Sequence, residues 1–269
     1  ASLTWQATDD ILAYAATSKG FRVGGVQPGL TTPIGGQQPE SFKSDTIWNY
    51  EGGVRTQWFD NQLRLDLTGF YVRWKSPQSA QADGTGLFVY IDNVGGVKSV
   101  GGDASMELLV PFVPGLKLSL AGSYAKTVTT TPYTAANGTV VPPGTPWALA
   151  PRWQTASTVS QILPIGNWLL AGSVTHTYLG RSVGDIVRQR RVFGYQQLDA
   201  QISIANPSTP WLPEIALTVN NITDTRGIVN HFSSDVPSAD TAADEVYYTQ
   251  PRAVILRLMG RFGNGASRQ

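Results

Sequence analysis

The stretch QLRLDLTGFYVRW, residues 62–74, decides the fold class. Leu63, Leu65, Leu67, Gly69 and Tyr71 fall on one side of an extended chain, and Gln62, Arg64, Asp66 and Thr68 fall on the other. Successive side chains of a strand point to opposite faces, so this period of two reads as a strand with one apolar and one wet face. The pattern recurs downstream. Leu116, Leu118, Leu120, Gly122 and Tyr124 alternate with Lys117, Ser119, Ala121 and Ser123. Leu198, Ala200, Ile202 and Ile204 oppose Asp199, Gln201 and Ser203, and Val254, Leu256, Leu258 and Phe262 oppose Arg257 and Arg261.

Composition narrows the setting. Charged residues make up only 14% of the 269, against roughly a quarter in soluble domains. That is too few to cover an ordinary aqueous surface. The chain nevertheless contains no apolar run of the roughly 20 residues that a spanning helix needs. Net charge is +1 with no Lys/Arg cluster of nucleic-acid type, so no nucleic-acid partner is expected. Cysteine is absent, which removes disulfides and thiolate metal sites and agrees with an oxidising compartment. Ala1 opens directly onto a strand-like segment, so any signal peptide is expected to lie outside this numbering.

The connections separate a membrane sheet from a soluble one. About eleven strand-like segments are joined alternately by tight turns and by long polar, Gly/Pro-rich stretches. The turns fall at residues 9–10, 60–61, 113–115, 164–167 and 206–213, and the long stretches at 24–43, 76–96, 129–150, 181–192 and 223–249. Short turns at one end and long loops at the other predict an all-β, antiparallel up-and-down transmembrane barrel segment, with short periplasmic turns and long extracellular loops. Aromatics at strand ends agree, because Tyr and Trp gather where an apolar band meets water. Trp58, Phe59, Tyr71, Trp74, Trp168, Tyr178, Phe193, Tyr195 and Trp211 all occupy such positions. Eleven antiparallel strands would bring the first and last together in parallel, so an open sheet with two edges is expected.

Several stretches carry a family resemblance. YAATSKGFRVGGVQP (14–28), YEGGVRTQWFDNQLRLDLTGFYVRWK (50–75) and IDNVGG (91–96) resemble the barrel of TonB-dependent receptors. ALTVNNITDTR (216–226) is similar to the family's penultimate strand, and YYTQPRAVILRLMGRF (247–262) to its terminal strand. The resemblance implies the C-terminal half of a receptor barrel over residues 1–262 and a tail over 263–269, with the plug domain absent. It also implies outer-membrane location, uptake of a ferric siderophore or similar scarce solute, and coupling to TonB. The expected partners are outer-membrane lipid, the solute, TonB, the receptor's own plug domain and the barrel-assembly machinery, which would read Phe262. No cofactor is expected.

Ligand contacts are expected from loop aromatics and cations: Trp147, Arg188, Arg190, Arg191, Arg226, His231, Tyr247 and Tyr248. The Arg-rich run RQRR at 188–191 suits an anionic chelate or lipid phosphate. Arg64, Asp66, Lys117, Arg257 and Arg261 are expected to line the interior or face the plug. Asn220 and Asn221 end a strand before Asp224, where side-chain amides can bond local backbone. Catalysis has little to stand on. His176 shares the outward phase with Val174 and Tyr178, and His231, Ser233 and Asp235 sit within one polar loop, whereas a triad needs convergence in space. His231, Asp235, Asp240, Asp244 and Glu245 are metal-ligand types without a fixed spacing, so no metal site is assigned. Two other readings remain at this stage. A passive porin would carry an inward loop with opposed charges, and a soluble all-β binding module would pack its apolar faces together.

Overall fold

The computed structural model describes residues 1–27, 39–82, 89–135, 138–209, 211–232 and 245–260. Among them, eleven strands form one antiparallel sheet. These are β1 (Ser2–Thr8), β2 (Ile11–Arg22), β3 (Asp45–Trp58), β4 (Leu63–Lys75), β5 (Val97–Leu109) and β6 (Leu116–Thr129). They continue with β7 (Trp153–Ile165), β8 (Trp168–Leu179), β9 (Tyr195–Ala205), β10 (Glu214–Asn220) and β11 (Ala253–Met259). Spatial order equals chain order, the up-and-down meander expected from the alternating connections. β1 and β11 do not pair, so the sheet is open, and these edge strands are the most uniformly exposed.

Register carries the sequence alternation across the sheet. One continuous row runs Trp58, Leu63, Leu108, Leu118, Val159, Val174, Ala200, Val219, Val254. The adjacent row on the opposite face runs Gln57, Arg64, Glu107, Ser119, Thr158, Thr175, Asp199. A slip of one residue would exchange the two rows, so burial preference fixes the register at every ladder. The apolar face is open to the surroundings: Leu256 is 65% exposed, Leu67 52% and Ile202 50%. Among the described residues no second sheet covers it, so the apolar faces do not pack together as the soluble binding module would require.

The height of the apolar face fits a bilayer. Trp48 and Trp58 mark its two ends on β3. They stand about 34 Å apart along the strand and ~26 Å apart along the normal for a tilt of ~40°, close to the ~25 Å band of outer-membrane barrels. Rings gather at the loop end of this face. Trp48 stacks on Tyr50 (6.0 Å), Tyr50 meets Tyr71 (6.3 Å), and Tyr124 meets Trp153 (4.8 Å).

The tight connections differ slightly from the sequence reading. Pro164 and Ile165 continue β7, leaving only Gly166 and Asn167 as the turn, because a strand's end tolerates proline's missing donor. The β5–β6 turn needs glycine at residue 115. Its φ is +81°, and an added Cβ would stand 2.1 Å from the Ile162 carbonyl oxygen, whose residue donates its N–H to the Gly115 carbonyl. Each long connection also contains a short ribbon of its own, at Gly25–Val26 with Ser41–Phe42, Gln78–Ala82 with Val89–Asn93, Tyr133–Thr134 with Val140–Val141, Ser182–Val183 with Arg191–Val192, and Ile228–Phe232 with Glu245–Tyr248. Pairing within the loop satisfies backbone groups that would otherwise be left over.

Replacing Gly115 with alanine in the full receptor is expected to cost at least about 3 kcal/mol, from left-handed strain plus a backbone clash. Gly144→Ala, at φ +88° but in open space, should cost only about 1 kcal/mol. Heat-unfolding midpoints in detergent measure the difference, and equal midpoints would remove the clash argument.

Candidate ligand vestibule at the loop end

The long connections are stitched to one another. Asp45, 2% exposed at the start of β3, accepts the backbone N–H groups of Arg22 (3.1 Å) and Gln78 (3.1 Å). The Arg22 guanidinium closes on the same carboxylate through Nε (2.9 Å) and Nη2, and also donates to the Gln78 carbonyl (3.0 Å). Gln78 in turn donates from Nε2 to the carbonyls of Val23 (2.8 Å) and Lys43 (3.0 Å). A buried carboxylate survives only where its lone pairs are used, and here four donors converge on it. The node joins the 23–44 connection to the 76–96 connection at the top of the sheet.

Asn93 adds a second stitch between the same two connections. Its amide donates to the carbonyls of Lys43 (3.0 Å) and Ser76 (2.9 Å), and its Oδ1 accepts the Lys43 N–H (2.6 Å). Gln27 exchanges hydrogen bonds with the backbone of Ile91. The 76–96 and 130–152 connections meet where Gly96 donates to Thr131 Oγ1 (2.6 Å) and Tyr133 donates to Asp92 (3.4 Å). An apolar cluster then spans three connections: Val94 from the first, Tyr133, Ala135 and Val141 from the next, and Ile186 from the 180–194 connection. Trp147, Ala148 and Val187 pack against it. Arg22 lies 5.2 Å above the Trp74 ring, which meets Trp147 at 6.1 Å. Burial of these side chains, at roughly 1.5–3 kcal/mol each, turns the connections into a folded rim.

The last connection, 221–252, is fastened separately. Asn221 is 1% exposed at φ +52°. Its amide donates to the carbonyls of Thr225 (2.9 Å) and Gln250 (2.8 Å), its Oδ1 accepts the Thr225 N–H (2.9 Å), and its backbone N–H donates to Asp199 (2.7 Å). One side chain thus ties both ends of the connection: the bonds to Thr225 are the local kind the sequence predicts, and the bond to Gln250 goes beyond it. Asp224 accepts the Arg252 N–H at 2.9 Å. That hydrogen bond holds its carboxyl below the ordinary 3.8; slight desolvation works against it, and the Arg226 and Arg252 charges assist it.

Below the rim, the polar face carries paired charges. Lys117 meets Glu107 at 2.7 Å, and Arg64 lies directly across from Glu107. Arg55 meets Asp66 at 3.7 Å and covers the Tyr14 ring at 5.3 Å. Tyr14 bonds Thr68 (2.7 Å) and lies across Gly53, where a Cβ would stand 2.7 Å from its ring. A concavity of about 580 Å³ opens on this face, and Arg55, Asp66, Thr68, Asp103, Gln154 and Tyr195 are among its lining residues.

The expected contact residues divide by place. Trp147 is half-buried in the rim packing. Arg188 and Arg190 are half-buried in the 180–194 connection, and Arg191 is exposed at the base of its ribbon. Arg226 is exposed 4.0 Å from Asp224, and Tyr247 and Tyr248 are exposed on the last ribbon. His231 belongs to that ribbon, its side chain lying outside the described residues, as do Ser233, Asp235, Asp240, Asp244 and the Glu245 side chain. Arg64, Asp66, Lys117 and Arg257 fall in the polar rows, and Arg261 and Phe262 lie outside the described residues. His176 keeps its outward phase and bonds Gln196 (3.2 Å). Among the described residues no three metal-ligating side chains converge.

A family model, TonB dependent receptor-like, beta-barrel, matches residues 1–222. The chain belongs to this family. The ferric yersiniabactin uptake receptor FyuA from Yersinia pestis has 20% identity and a TM-score of 0.71, matching 94% of this chain and 35% of its own. The siderophore receptor PiuA from Acinetobacter baumannii has 17% identity and a TM-score of 0.69, over 95% of this chain and 34% of its own. The copper transporter OprC has 11% identity and a TM-score of 0.65, over 94% of this chain and 38% of its own. The chain therefore spans little more than a third of the length of these solved structures. The likeness sets the polar face toward a barrel lumen and the apolar face toward lipid. The chain is a segment of an outer-membrane barrel, in a family of transport receptors.

The rim node at Asp45 and Arg22 had no local signature, since its partners lie on two strands and a loop. The depressed acidity of Asp224 sets a pH test. A lowered folded value stabilises the Arg252 contact above about pH 4, and the contact is lost as pH falls through the folded value. Hydrogen exchange at the Arg252 amide, corrected for intrinsic rate, should stay flat between about pH 5 and 8 and accelerate below about pH 3.8. Asp224→Asn should produce the acceleration at neutral pH. Unchanged protection in both conditions would show that the carboxylate does not hold the amide.

Proposed function

We propose that this chain forms the C-terminal half of the barrel of a TonB-dependent receptor that captures a ferric siderophore or comparable scarce metal chelate, with the barrel over residues 1–262 and a tail over 263–269. The observation that carries the reading is the folded rim. Four long connections are joined by buried polar nodes and one apolar cluster above a polar, charge-lined lumen. Such a rim holds contact residues in place before a solute arrives, which lowers the ordering cost of capture. The solved structures with this fold are named for ferric yersiniabactin, for a siderophore and for copper. The fold is therefore shared across metal-bearing cargo, and the choice among solutes falls to the loops.

The chemistry of the contact set favours an anionic chelate. Arg188, Arg190, Arg191 and Arg226 supply guanidinium forks suited to carboxylate or catecholate oxygens. Tyr247 and Tyr248 offer exposed rings, and Trp147 and His231 complete the candidate set. Arg64, Asp66, Lys117 and Arg257 face the lumen and its plug, and Arg261 is assigned to the same surface from the sequence alternation; these charges orient the plug rather than grip the solute. No residue is assigned a catalytic role. Energy for import comes from TonB acting through the receptor's plug, and Phe262 is the assembly signal.

Growth under iron limitation with single ferric siderophores as the iron source tests the whole reading, with a strain lacking the gene compared with its complemented form. Loss of growth on one chelate is the expected outcome; equal growth on every chelate, together with steady ion conductance of the intact protein in a planar bilayer, points to a passive pore instead. For the contact set, R188Q/R190Q/R191Q in the intact receptor should weaken that chelate at least about tenfold, equivalent to about 1.4 kcal/mol, and flatten the salt dependence of binding. Unchanged affinity and salt dependence would remove the arginines from the site.

A further inference from the structure

The outward face carries a charge asymmetry that solute uptake does not use. Its only lysines and arginines among the described strands are Lys19, Arg73, Lys75, Lys98 and Lys126. All five are exposed. They occupy β2, β4, β5 and β6, which lie on either side of β3 in one continuous part of the sheet. Three of them fall in a single register row: Lys19 lies across from Trp48, Trp48 from Arg73, and Arg73 from Lys98. Lys75 and Lys126 flank the row, opposite Thr46 and Val100.

Every one of these charges stands at the loop end of the apolar band, beside the stacked rings of Trp48, Tyr50 and Tyr71. Lys19 lies 5.5 Å over the Trp48 ring. The outward positions of the eleven strands include no Asp or Glu, and the acids Asp45, Glu51, Asp66, Asp103 and Glu107 on these same strands all fall on the lumenal rows. The turn end of the outward face carries no cation, and the nearby turns hold Asp9, Asp10 and Asp60. Among the described residues, these five cations have no carboxylate beside them on the outward face, and they stand at the height where rings meet headgroups, a layer that can supply anions.

We propose that this row binds the phosphate groups of a phosphorylated outer-leaflet lipid headgroup. The apolar band below takes the acyl chains, the rings of Trp48, Tyr50 and Tyr71 sit at headgroup depth, and the cations above pair with phosphate. The row spans about 14 Å across three strand spacings, enough for more than one phosphate. Clustered Lys and Arg at a membrane surface attract anionic headgroups together, so the five favour a retained lipid over passing lipid exchange. The site is separate from the vestibule and stands whatever solute the receptor carries.

The intact receptor, purified in mild detergent and stripped of lipid, provides the test. Its thermal midpoint is followed with the phosphorylated outer-leaflet lipid, with the same lipid freed of phosphate, and with inorganic phosphate. The expected result is a rise with the phosphorylated lipid alone. K19Q/R73Q/K75Q/K98Q/K126Q should abolish the rise and retain at least about tenfold less of that lipid through purification. The charge-keeping K19R/K75R/K98R/K126R should preserve both effects. An equal rise with the phosphate-free lipid would assign the contact to the apolar band alone and overturn the proposal. A rise with inorganic phosphate alone would make it a free-anion site and overturn it as well. If the glutamine variant does not fold, the three lipid arms on the unsubstituted receptor still decide.

Discussion

Backbone pairing in hydrocarbon is the constraint on which the rest of this structure depends. An N–H or C=O left open in lipid costs several kcal/mol, so a chain that crosses with strands must give each strand two neighbours. The nine inner strands meet this by meandering in chain order. β1 and β11 do not, and their exposure along nearly the full length marks them as edges that require strands from elsewhere. A sheet spanning little more than a third of its solved relatives is an arc whose integrity in the membrane depends on closure.

Given complete pairing, the two faces can specialise because register keeps them apart. The lipid face holds Leu, Val and Ile without a carboxylate, and the lumenal face holds the ion pairs Lys117–Glu107 and Arg55–Asp66. Both pairs are partly solvated, so they contribute little to stability and act chiefly to set the field of the lumen. Glycine serves close approach here, with Gly53 leaving room for the Tyr14 ring to reach Thr68 across the strand. Packing in such a wall is side chain over neighbouring strand, without a central core. The largest cluster of buried apolar residues lies instead in the connections, with Val97, Val128 and Ala216 buried singly on the strands.

This division explains what was legible in the sequence. Alternation at residues 62–74, the outward phase of His176 and the lumenal phase of Arg64, Asp66 and Lys117 follow from a period of two, a local property. Half of the Asn221 strap was legible for the same reason, since two of its side-chain hydrogen bonds go to Thr225, four residues on, whereas the third reaches Gln250 at the far end of the connection. The rim was not. Arg22 with Asp45, Gln27 with Ile91 and Trp74 with Trp147 are joined only after the intervening strands have paired, and nothing in the loop composition says which polar side chain will be buried. Tyr124 against Trp153 was missed likewise, because neither residue marks a girdle until the register sets them side by side.

The shared packing of the connections bears on how such a protein can change. Val94, Tyr133, Val141 and Ile186 come from three different loops yet fill one another's space. A substitution that reshapes one loop is felt at once by the other two. A change in what this rim recognises is therefore gained more readily by exchanging the three loops as a block than by drift in any one of them. Among the described residues, the 221–252 connection adds nothing to this cluster and is pinned by its own Asn221 strap.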